Sequence, residues 1–329
     1  MSDGPKGPPK ATPHPGIVST LIHAGIRLTA RAFPGADTRE PGLPDHMPEE
    51  VYVEGNGVNL HCLRWTGNGT PLVLLHGLDA NSWIWAPIAS LLKKEREPLS
   101  CCAIDLRGHG LSSSPDSGYD LATTCGDVLA ALDRLGIDRF ALMGHSWGGK
   151  VATYLASEIP ERVRGLVLAD PVPPAGFNPM LRAMPGLVDA VLGPERGPYA
   201  DARSLETGVT RMVYLKRWDE MDRKLVYAGF RQQPDGGFRH SLSDSAYREI
   251  LDGALQEDIT DRLGSITCPA LLLLPTFTVS FWPGESRQYA RGLGDGLTIR
   301  RVRGDHSFIY TNPVDTTREM EAFLKTVPA

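Results

Sequence analysis

Short apolar segments alternate with amphipathic helical patterns along this chain, and no other feature of the sequence constrains its fold as strongly. Four such segments lie at residues 72–75, 100–104, 140–143 and 163–169, with helical patterns between them. Strands that are apolar on both faces are typical of parallel sheets that helices cover on both sides. The alternation therefore predicts an α/β fold with a doubly wound, mostly parallel sheet.

The alternation is interrupted once, after the sixth predicted strand. The other predicted strands are a β-hairpin at residues 51–54 and 59–65, and two later strands at residues 270–274 and 297–303. Residues 171–265 show helices and loops without a strong strand pattern. We therefore expect a core of residues 49–170 and 266–329, with residues 171–265 inserted as a helical cap.

The first 48 residues differ in composition from the predicted core. Residues 1–15 contain five prolines and few apolar side chains, so burial would not offset the entropy lost on ordering them. Residues 16–33 place apolar side chains near one face of a helix. We expect a disordered tail followed by an amphipathic helix, which could dock on the body, cover a site or touch a membrane surface.

Charge and hydropathy argue against two classes of protein. The formal net charge is −5, and the basic residues are spread along the chain, so we expect no nucleic-acid partner. The longest apolar runs are far shorter than the roughly 18 residues that span a bilayer, so we expect no integral membrane association. Five cysteines without a C-x-x-C spacing favour buried thiols in a cytoplasmic protein. The oligomeric state stays open.

The most informative motif is GHSWGG at residues 144–149, between a predicted strand and a predicted helix. A G-x-S-x-G pattern in that context is typical of a nucleophile elbow. Gly144 and Gly148 are small, as the tight turn demands, and Ser146 would adopt a strained conformation. The following helix would direct its first amides, including that of Trp147, at a developing oxyanion.

With this elbow, the chain resembles an α/β-hydrolase-fold enzyme over residues 51–327. Residues 74–78, Leu-Leu-His-Gly-Leu, resemble the family's His-Gly loop, in which the residue after the glycine supplies the second oxyanion N–H. That residue is Leu78 here, so the resemblance implies an oxyanion hole made by Leu78 and Trp147. Four further residues are expected beside the substrate: His76, Gly77, Asp79 and His145. For Asp79, a role in the turn is the alternative.

The resemblance also implies the general base. Residues 304–307, Gly-Asp-His-Ser, follow the last predicted strand and precede the last helix, where the family places its catalytic histidine. His306 is therefore the expected base. Residues 105–112 resemble a loop that is structural in the family, which argues against Asp105 and His109 as catalytic residues.

The triad acid departs from the usual pattern. Most family members carry it after the strand that corresponds to residues 270–274, but here Thr278 stands about there, and a hydroxyl cannot stabilise an imidazolium as a carboxylate does. Asp170 ends the sixth predicted strand, a location that some members use, and it preserves the order nucleophile, acid, base. We expect Asp170 as the acid, with Glu285 and Asp295 as alternatives.

These residues predict acyl chemistry without a metal or another cofactor. His306 would take a proton from Ser146, which attacks a carbonyl, and water would then release the acyl-enzyme. A serine at the elbow argues against the epoxide and haloalkane chemistry that the resemblance associates with Asp there.

The substrate class is predicted less sharply than the chemistry. Methionine and aromatic residues in the cap favour an ester of an apolar or aromatic small molecule. Alternatives are thioester hydrolysis, acyl transfer or cyclisation, carbon-carbon cleavage, and a non-hydrolytic member of the family with a degraded triad.

Overall fold

A computed structural model covers most of the predicted core. The described residues are 39, 45–93, 99–176, 183, 196–209, 218–276 and 285–327. The predicted tail and N-terminal helix lie outside these residues, and so does Thr278.

One eight-stranded sheet organises the described residues. Its strands are β1 (Glu49–Glu54), β2 (Asn59–Trp65), β3 (Asn68–Leu75), β4 (Leu99–Ile104), β5 (Phe140–His145), β6 (Val163–Ala169), β9 (Ala270–Pro275) and β10 (Leu297–Val302). Their order is β1-β2-β4-β3-β5-β6-β9-β10. β1 pairs antiparallel with β2, β2 pairs antiparallel with β4, and all other pairs are parallel. The predicted mostly parallel α/β sheet is confirmed.

Helices lie between the strands and beyond them. They are α1 (Ala86–Lys93), α2 (Leu121–Arg134), α3 (Trp147–Glu158), α4 (Ala202–Val209), α5 (Glu220–Ala228), α6 (Asp244–Gln256), α7 (Glu285–Leu293), α8 (Phe308–Thr311) and α9 (Pro313–Leu324). Shorter 3-10 turns occupy Ser82–Trp85, Thr260–Ser265 and Gly294–Gly296. No helix in the described part is both long and apolar enough to cross a bilayer.

The sheet separates two clusters of buried apolar side chains. Along β5, Leu142 belongs to one cluster and Met143 to the other, because successive side chains of a strand point to opposite faces. Helices α2 and α3 cover the first cluster, and α1 and α9 cover the second. Both faces of the central strands are therefore buried, which explains why their sequences are apolar throughout rather than alternating.

Helix ends follow the expected chemistry. Asp120 caps α2 by accepting a hydrogen bond from the Thr123 N–H, and Gly136, with φ 69°, follows its end. Asn312 caps α9 by accepting a hydrogen bond from the Asp315 N–H. These local signals fix where the two helices begin and end.

The segment between β6 and β9 contains more than helices and loops. Strands β7 (Phe230–Gln232) and β8 (Phe238–His240) form a small antiparallel hairpin between α5 and α6. Aromatic rings pack on one another here: the Tyr199 and Phe230 centroids are 5.7 Å apart, and those of Tyr227 and Phe238 are 5.8 Å apart. The sequence did not predict this hairpin, because three residues are too few to show an alternating pattern.

Candidate active site

A sharp turn between β5 and α3 presents Ser146 at the carboxyl end of the sheet. Ser146 has φ 54° and ψ −119°, a conformation that is unfavourable for a residue with a side chain. Its N–H donates to the Ala169 carbonyl at 3.1 Å, and its carbonyl accepts from the Val172 N–H at 3.0 Å. The end of β6 therefore holds the strained backbone of Ser146 in place.

Two glycines make this turn sterically possible. A Cβ on Gly144 would lie 2.1 Å from the carbonyl oxygen of Gly148, and a Cβ on Gly148 would lie 2.3 Å from the carbonyl oxygen of His76. No side chain fits at either position without moving backbone. The G-x-S-x-G spacing thus reflects close packing of the turn against the loop after β3.

His306 and Asp170 form a hydrogen-bonded pair near this turn. Nδ1 of His306 lies 2.5 Å from Oδ2 of Asp170. The Asp170 side chain is buried, whereas that of His306 is 40% exposed. Burial lowers the pKa of His306, but the hydrogen bond and charge of Asp170, with the charge of Asp305, outweigh burial and raise this pKa above its ordinary value. The imidazolium form is thus stabilised by the buried carboxylate.

His145 connects the elbow to the His306 loop. Its Nε2 donates to the His306 carbonyl at 2.8 Å, and the two ring centroids are 4.6 Å apart. In the described part of the chain, the side-chain hydrogen bond of His306 goes to Asp170, and none joins it to the Ser146 hydroxyl. Catalytic hydrogen bonds of this kind commonly tighten only when substrate binds.

Backbone strain concentrates at the candidate site. The non-glycine residues with positive φ in the described ranges are Asp79 at 59°, Ser146 at 54°, Asp170 at 41° and Trp218 at 54°. Three of these four are residues that the sequence assigns to the site. Strained residues persist only where the surroundings over-determine them, so the fold enforces the positions of these three residues.

The loop after β3 approaches the serine closely. A Cβ on Gly77 would lie 3.0 Å from the Cβ of Ser146. Leu78 follows Gly77, and Trp147 is the first residue of α3, where an amide has no partner within the helix. The two segments that carry the predicted oxyanion donors therefore meet beside the serine.

His76 and His145, which the sequence places beside the substrate, are both buried. His76 is fully buried; its Nδ1 donates to the Gly77 carbonyl at 2.7 Å, and its Nε2 accepts from the Leu106 N–H at 3.0 Å. His145 is also buried, and burial lowers the pKa of both histidines. The printed bonds of both rings go to backbone groups of the loops that carry Leu78 and His306.

Asp79 ties the oxyanion loop to the segment between β6 and β9. Nη1 of Arg196 donates to the Asp79 carboxylate, and Nε of Arg196 lies 3.3 Å from the Asp244 carboxylate. Nε2 of His240 is 3.7 Å from Asp79, and burial, aided by the charge of Arg196, lowers the pKa of His240 to about 3. This engaged carboxylate fits the turn role of Asp79 better than a substrate contact.

Two cations near the site, the buried Lys150 and the partly buried Arg196, were not selected from the sequence. Lys150, one helical turn after Ser146, donates to the carbonyls of Ala254 and Glu257 at the end of α6. Arg196 is the partner of Asp79. A single sequence gave no signal for either, because the partners of both lie far away along the chain.

Other candidate groups lie elsewhere or outside the described residues. Asp295 is exposed in the 3-10 turn before β10, at the opposite end of that strand from His306. The side chain of Glu285 lies outside the described part, so its distance from His306 is not defined. Within the described ranges, no three His, Cys, Asp or Glu side chains are grouped to hold a metal ion.

Comparison with known families identifies the fold. A family model described as alpha/beta hydrolase fold matches residues 70–288. The chain belongs to the α/β-hydrolase-fold family. The matched region begins in β3 and includes the elbow and Asp170, and His306 follows it.

This α/β-hydrolase-fold chain has relatives with several activities. It is 36% identical over 224 residues to N-formylmaleamate deformylase of Pseudomonas putida, which covers 68% of this chain and 76% of that enzyme. It is 37% identical over 118 residues to soluble epoxide hydrolase of Corynebacterium sp. (strain C12), covering 36% of this chain and only 40% of that enzyme. Both relatives are hydrolases, which supports an enzyme of that general kind.

A solved structure agrees with the fold. E-2-(acetamidomethylene)succinate hydrolase superposes with a TM-score of 0.72 at 22% sequence identity, covering 85% of this chain and 100% of that one. At that identity the likeness describes the fold alone.

Proposed function

We propose that this protein is a serine hydrolase that cleaves an ester of a small molecule, with an apolar or aromatic group, through an acyl-enzyme on Ser146. The observation that carries the proposal is the 2.5 Å contact between His306 and the buried Asp170, beside a serine held at φ 54°. A carboxylate that holds the Nδ1–H of an imidazole leaves Nε2 as the lone pair that can accept a proton.

The first step transfers the acyl group to the enzyme. His306 Nε2 takes the hydroxyl proton of Ser146 as Oγ attacks the substrate carbonyl. The N–H groups of Leu78 and Trp147 donate to the resulting oxyanion. Collapse of the tetrahedral intermediate breaks the ester C–O bond, and His306 returns its proton to the departing alcohol.

The second step releases the acid. Water gives a proton to His306 and attacks the ester carbonyl on Ser146, and His306 then protonates Oγ as the acid departs. Throughout the cycle the Asp170 carboxylate stabilises the imidazolium form. The raised pKa of His306 favours that form at each transfer.

The identity of the nucleophile favours carbonyl substrates. A serine alkoxide that opened an epoxide would leave an ether on Ser146, and water cannot release an ether by attack on a carbonyl. A serine that attacks a carbonyl leaves an ester, which a water molecule can hydrolyse. The match to an epoxide hydrolase over 36% of the chain therefore does not carry its reaction to this protein.

Cleavage of an N-acyl bond is the second candidate. The relative that shares 36% identity over 224 residues is named a deformylase of N-formylmaleamate. The same oxyanion donors and base would serve an amide, because His306 can protonate a departing nitrogen as it protonates an oxygen. N-formyl and N-acetyl amides therefore belong beside esters in any substrate panel.

Labelling by a fluorophosphonate tests the proposal. We expect stoichiometric phosphonylation, seen by intact-mass spectrometry and mapped to Ser146 by peptide analysis, because the reagent reports a serine with a working base. Ser146→Ala is the control and should show no adduct while its Tm stays within a few degrees. A folded wild-type protein that is not labelled would contradict the serine mechanism.

A panel of p-nitrophenyl esters then tests the substrate class. Aromatic and medium-length acyl groups should give higher kcat/KM than acetate if the substrate is apolar. Hydrolysis confined to N-acyl amides would favour the second candidate. Turnover that survives in Ser146→Ala would reject Ser146 as the nucleophile for either substrate class.

A further inference from the structure

A buried charged cluster connects Arg39 to two elements beside the candidate site. Arg39 is 4% exposed, Asp222 and Tyr310 are fully buried, and we call these three residues the Arg39 cluster. Nη1 of Arg39 lies 2.7 Å from Oδ1 of Asp222, and the Tyr310 hydroxyl donates to the same oxygen at 2.7 Å. The guanidinium also lies over the Tyr310 ring, with Cζ 4.1 Å from its centroid. One carboxylate oxygen thus joins three distant parts of the chain.

Tyr310 connects the Arg39 cluster to the catalytic histidine. Its N–H donates to the Ser307 carbonyl at 2.9 Å in the turn that opens α8, and Ser307 directly follows His306. Burial, with the charge of Asp222, raises the pKa of Tyr310 well above its ordinary value, so the hydroxyl stays protonated and acts as a donor. The hydroxyl of Tyr310 therefore joins α8 to Asp222.

Asp222 connects the Arg39 cluster to the oxyanion loop. It belongs to the first turn of α5, where it and Asp219 exchange hydrogen bonds between their side chains and N–H groups at 2.9 and 3.3 Å. Farther along α5, the Leu225 carbonyl accepts a hydrogen bond from the side chain of Asn81 at 2.8 Å. Asn81 lies three residues after Leu78, in the oxyanion loop. Helix α5 thus contacts the oxyanion loop and, through Asp222, the helix that follows His306.

We propose that Arg39 is a positioning residue of the active site, whose guanidinium neutralises Asp222 and thereby keeps α5 and α8 in the arrangement that sets His306 and the oxyanion loop. The inference rests on the proposed function, because its catalytic effect is read at Ser146. Without the guanidinium, Asp222 keeps hydrogen bonds from Tyr310 and Asp219, but these donors carry no charge. A buried carboxylate in that state is unfavourable, so α5 and α8 shift to admit water. Arg39 lies before residues 70–288, which match the family.

Arg39→Met removes the charge and keeps an unbranched side chain of similar length. We expect the rate constant for phosphonylation of Ser146, measured well below each Tm, to fall by about tenfold to a hundredfold, because small displacements of catalytic groups cost that much. The pH midpoint of this rate should move down as His306 loses part of its bond to Asp170. A merely structural role would lower the Tm and leave both quantities unchanged.

Two further variants keep the test decisive. Arg134→Met is the matched control, since Arg134 is mostly exposed and pairs with the exposed Glu54, so we expect a rate within about twofold of wild type. Asp222→Asn combined with Arg39→Met removes the uncompensated carboxylate and should recover most of the lost rate. If Arg39→Met alone does not fold, Arg39→Lys replaces it, with a smaller loss expected because one ammonium cannot pair and stack as the guanidinium does.

Hydrogen exchange separates this inference from the proposed function. In Arg39→Met, amides of residues 305–312 and 77–85 should exchange faster than in wild type, whereas Arg134→Met should match wild type. If the wild-type protein is not labelled, the serine mechanism is contradicted. The hydrogen-exchange comparison then still tests whether Arg39 holds α5 and α8 in place. Unchanged labelling rate, pH midpoint and exchange in Arg39→Met, or in Arg39→Lys where it is substituted, would overturn the role of Arg39.

Discussion

Among the residues that the structure describes, two histidines bind an aspartate through Nδ1, and these two pairs differ in what surrounds Nε2 of the histidine. His306 contacts Asp170 through Nδ1 at 2.5 Å, and His61 contacts Asp105 through Nδ1 at 2.8 Å. In both pairs burial lowers the histidine pKa, but the carboxylate outweighs burial and the net pKa is raised. The His306 side chain is 40% exposed, while that of His61 is fully buried with its Nε2 3.2 Å from Glu50.

The comparison shows that the pair alone does not make a catalytic group. Asp105 also accepts hydrogen bonds from the N–H groups of Ser82 at 2.5 Å and Leu111 at 2.8 Å, so it fastens two loops to β4. Asp170 instead sits on a backbone with φ 41°, one residue after the strand end that binds Ser146. Two features distinguish the pair that we propose as catalytic from the structural pair. The side chain of its histidine is partly exposed to solvent, and its aspartate lies next to the strand end that binds Ser146.

The largest difference is expected on replacing the two carboxylates. Asp170→Asn should lower kcat/KM by about a thousandfold or more, because the wrong tautomer of His306 is favoured and its imidazolium is no longer stabilised. The acidic limb of the pH profile should move to lower pH, since the charge and hydrogen bond that raise the pKa of His306 are weakened.

The control for this prediction is the adjacent carboxylate. Asp305→Asn should change kcat/KM by no more than about threefold, as is usual for a partly exposed charge. A rate for Asp170→Asn equal to that of wild type would shift attention to Glu285 as the acid.

Asp105→Asn should instead act on stability. Removing the charge from a fully buried group that binds His61 and two loop amides should cost about 3–5 kcal/mol in the free energy of unfolding. Urea titration measures this change, and Asp116→Asn, an exposed carboxylate on the neighbouring loop, is the control. If Asp105→Asn retained full stability but lost activity, the structural assignment of the His61 pair would be wrong.

His145→Phe tests whether catalysis depends on the hydrogen bond that His145 donates to the loop carrying His306. Phe fills a similar volume but cannot donate to the His306 carbonyl at 2.8 Å, so we expect kcat to fall by about tenfold. KM for the ester should stay nearly constant, because the buried His145 contacts backbone. A large rise in KM with unchanged kcat would restore the substrate contact that the sequence suggested.

The smallest effect is the pH dependence of stability. Because the folded-state pKa of His61 is raised, its contribution to stability is fully present below the unfolded pKa and is lost as pH rises through the folded pKa. His306 contributes with the same sign. The decline in unfolding free energy from pH about 6 to pH about 9 should therefore be smaller in His61→Gln and in His306→Gln than in wild type. An unchanged slope in His61→Gln would contradict its protonation in the folded state.

The features of the fold and the site that the sequence could predict are those set by local pattern. Apolar runs and helical periodicity define strands and helices, and the steric demand of the turn restricts Gly144 and Gly148 wherever an elbow forms. The hairpin of β7 and β8 escaped prediction because it is shorter than any periodicity. Its strands pair through the backbone, Phe230 opposite His240 and Gln232 opposite Phe238.

The sequence cannot show which residues of the site pair with one another when they lie far apart along the chain. Asp170 and His306 are 136 residues apart, and strand order across the sheet brings the two together, so the sequence could only rank Asp170 above Asp295 and Glu285. Arg39 and Arg196 gave no local signal, since an arginine that pairs with a carboxylate inside the fold has the same sequence context as one that faces solvent. Their partners emerge only when the fold is known.

The most direct test of the serine mechanism is to trap the acyl-enzyme. The protein is mixed with p-nitrophenyl acetate, quenched in acid within the first turnovers, and analysed by intact-mass spectrometry and peptide mapping. We predict one acetyl group on Ser146 in wild type, accumulation of the same adduct when deacylation is slower than acylation, and no adduct in Ser146→Ala. Release of p-nitrophenol by Ser146→Ala at the wild-type rate, or an acetyl group mapped to another residue, would contradict the account.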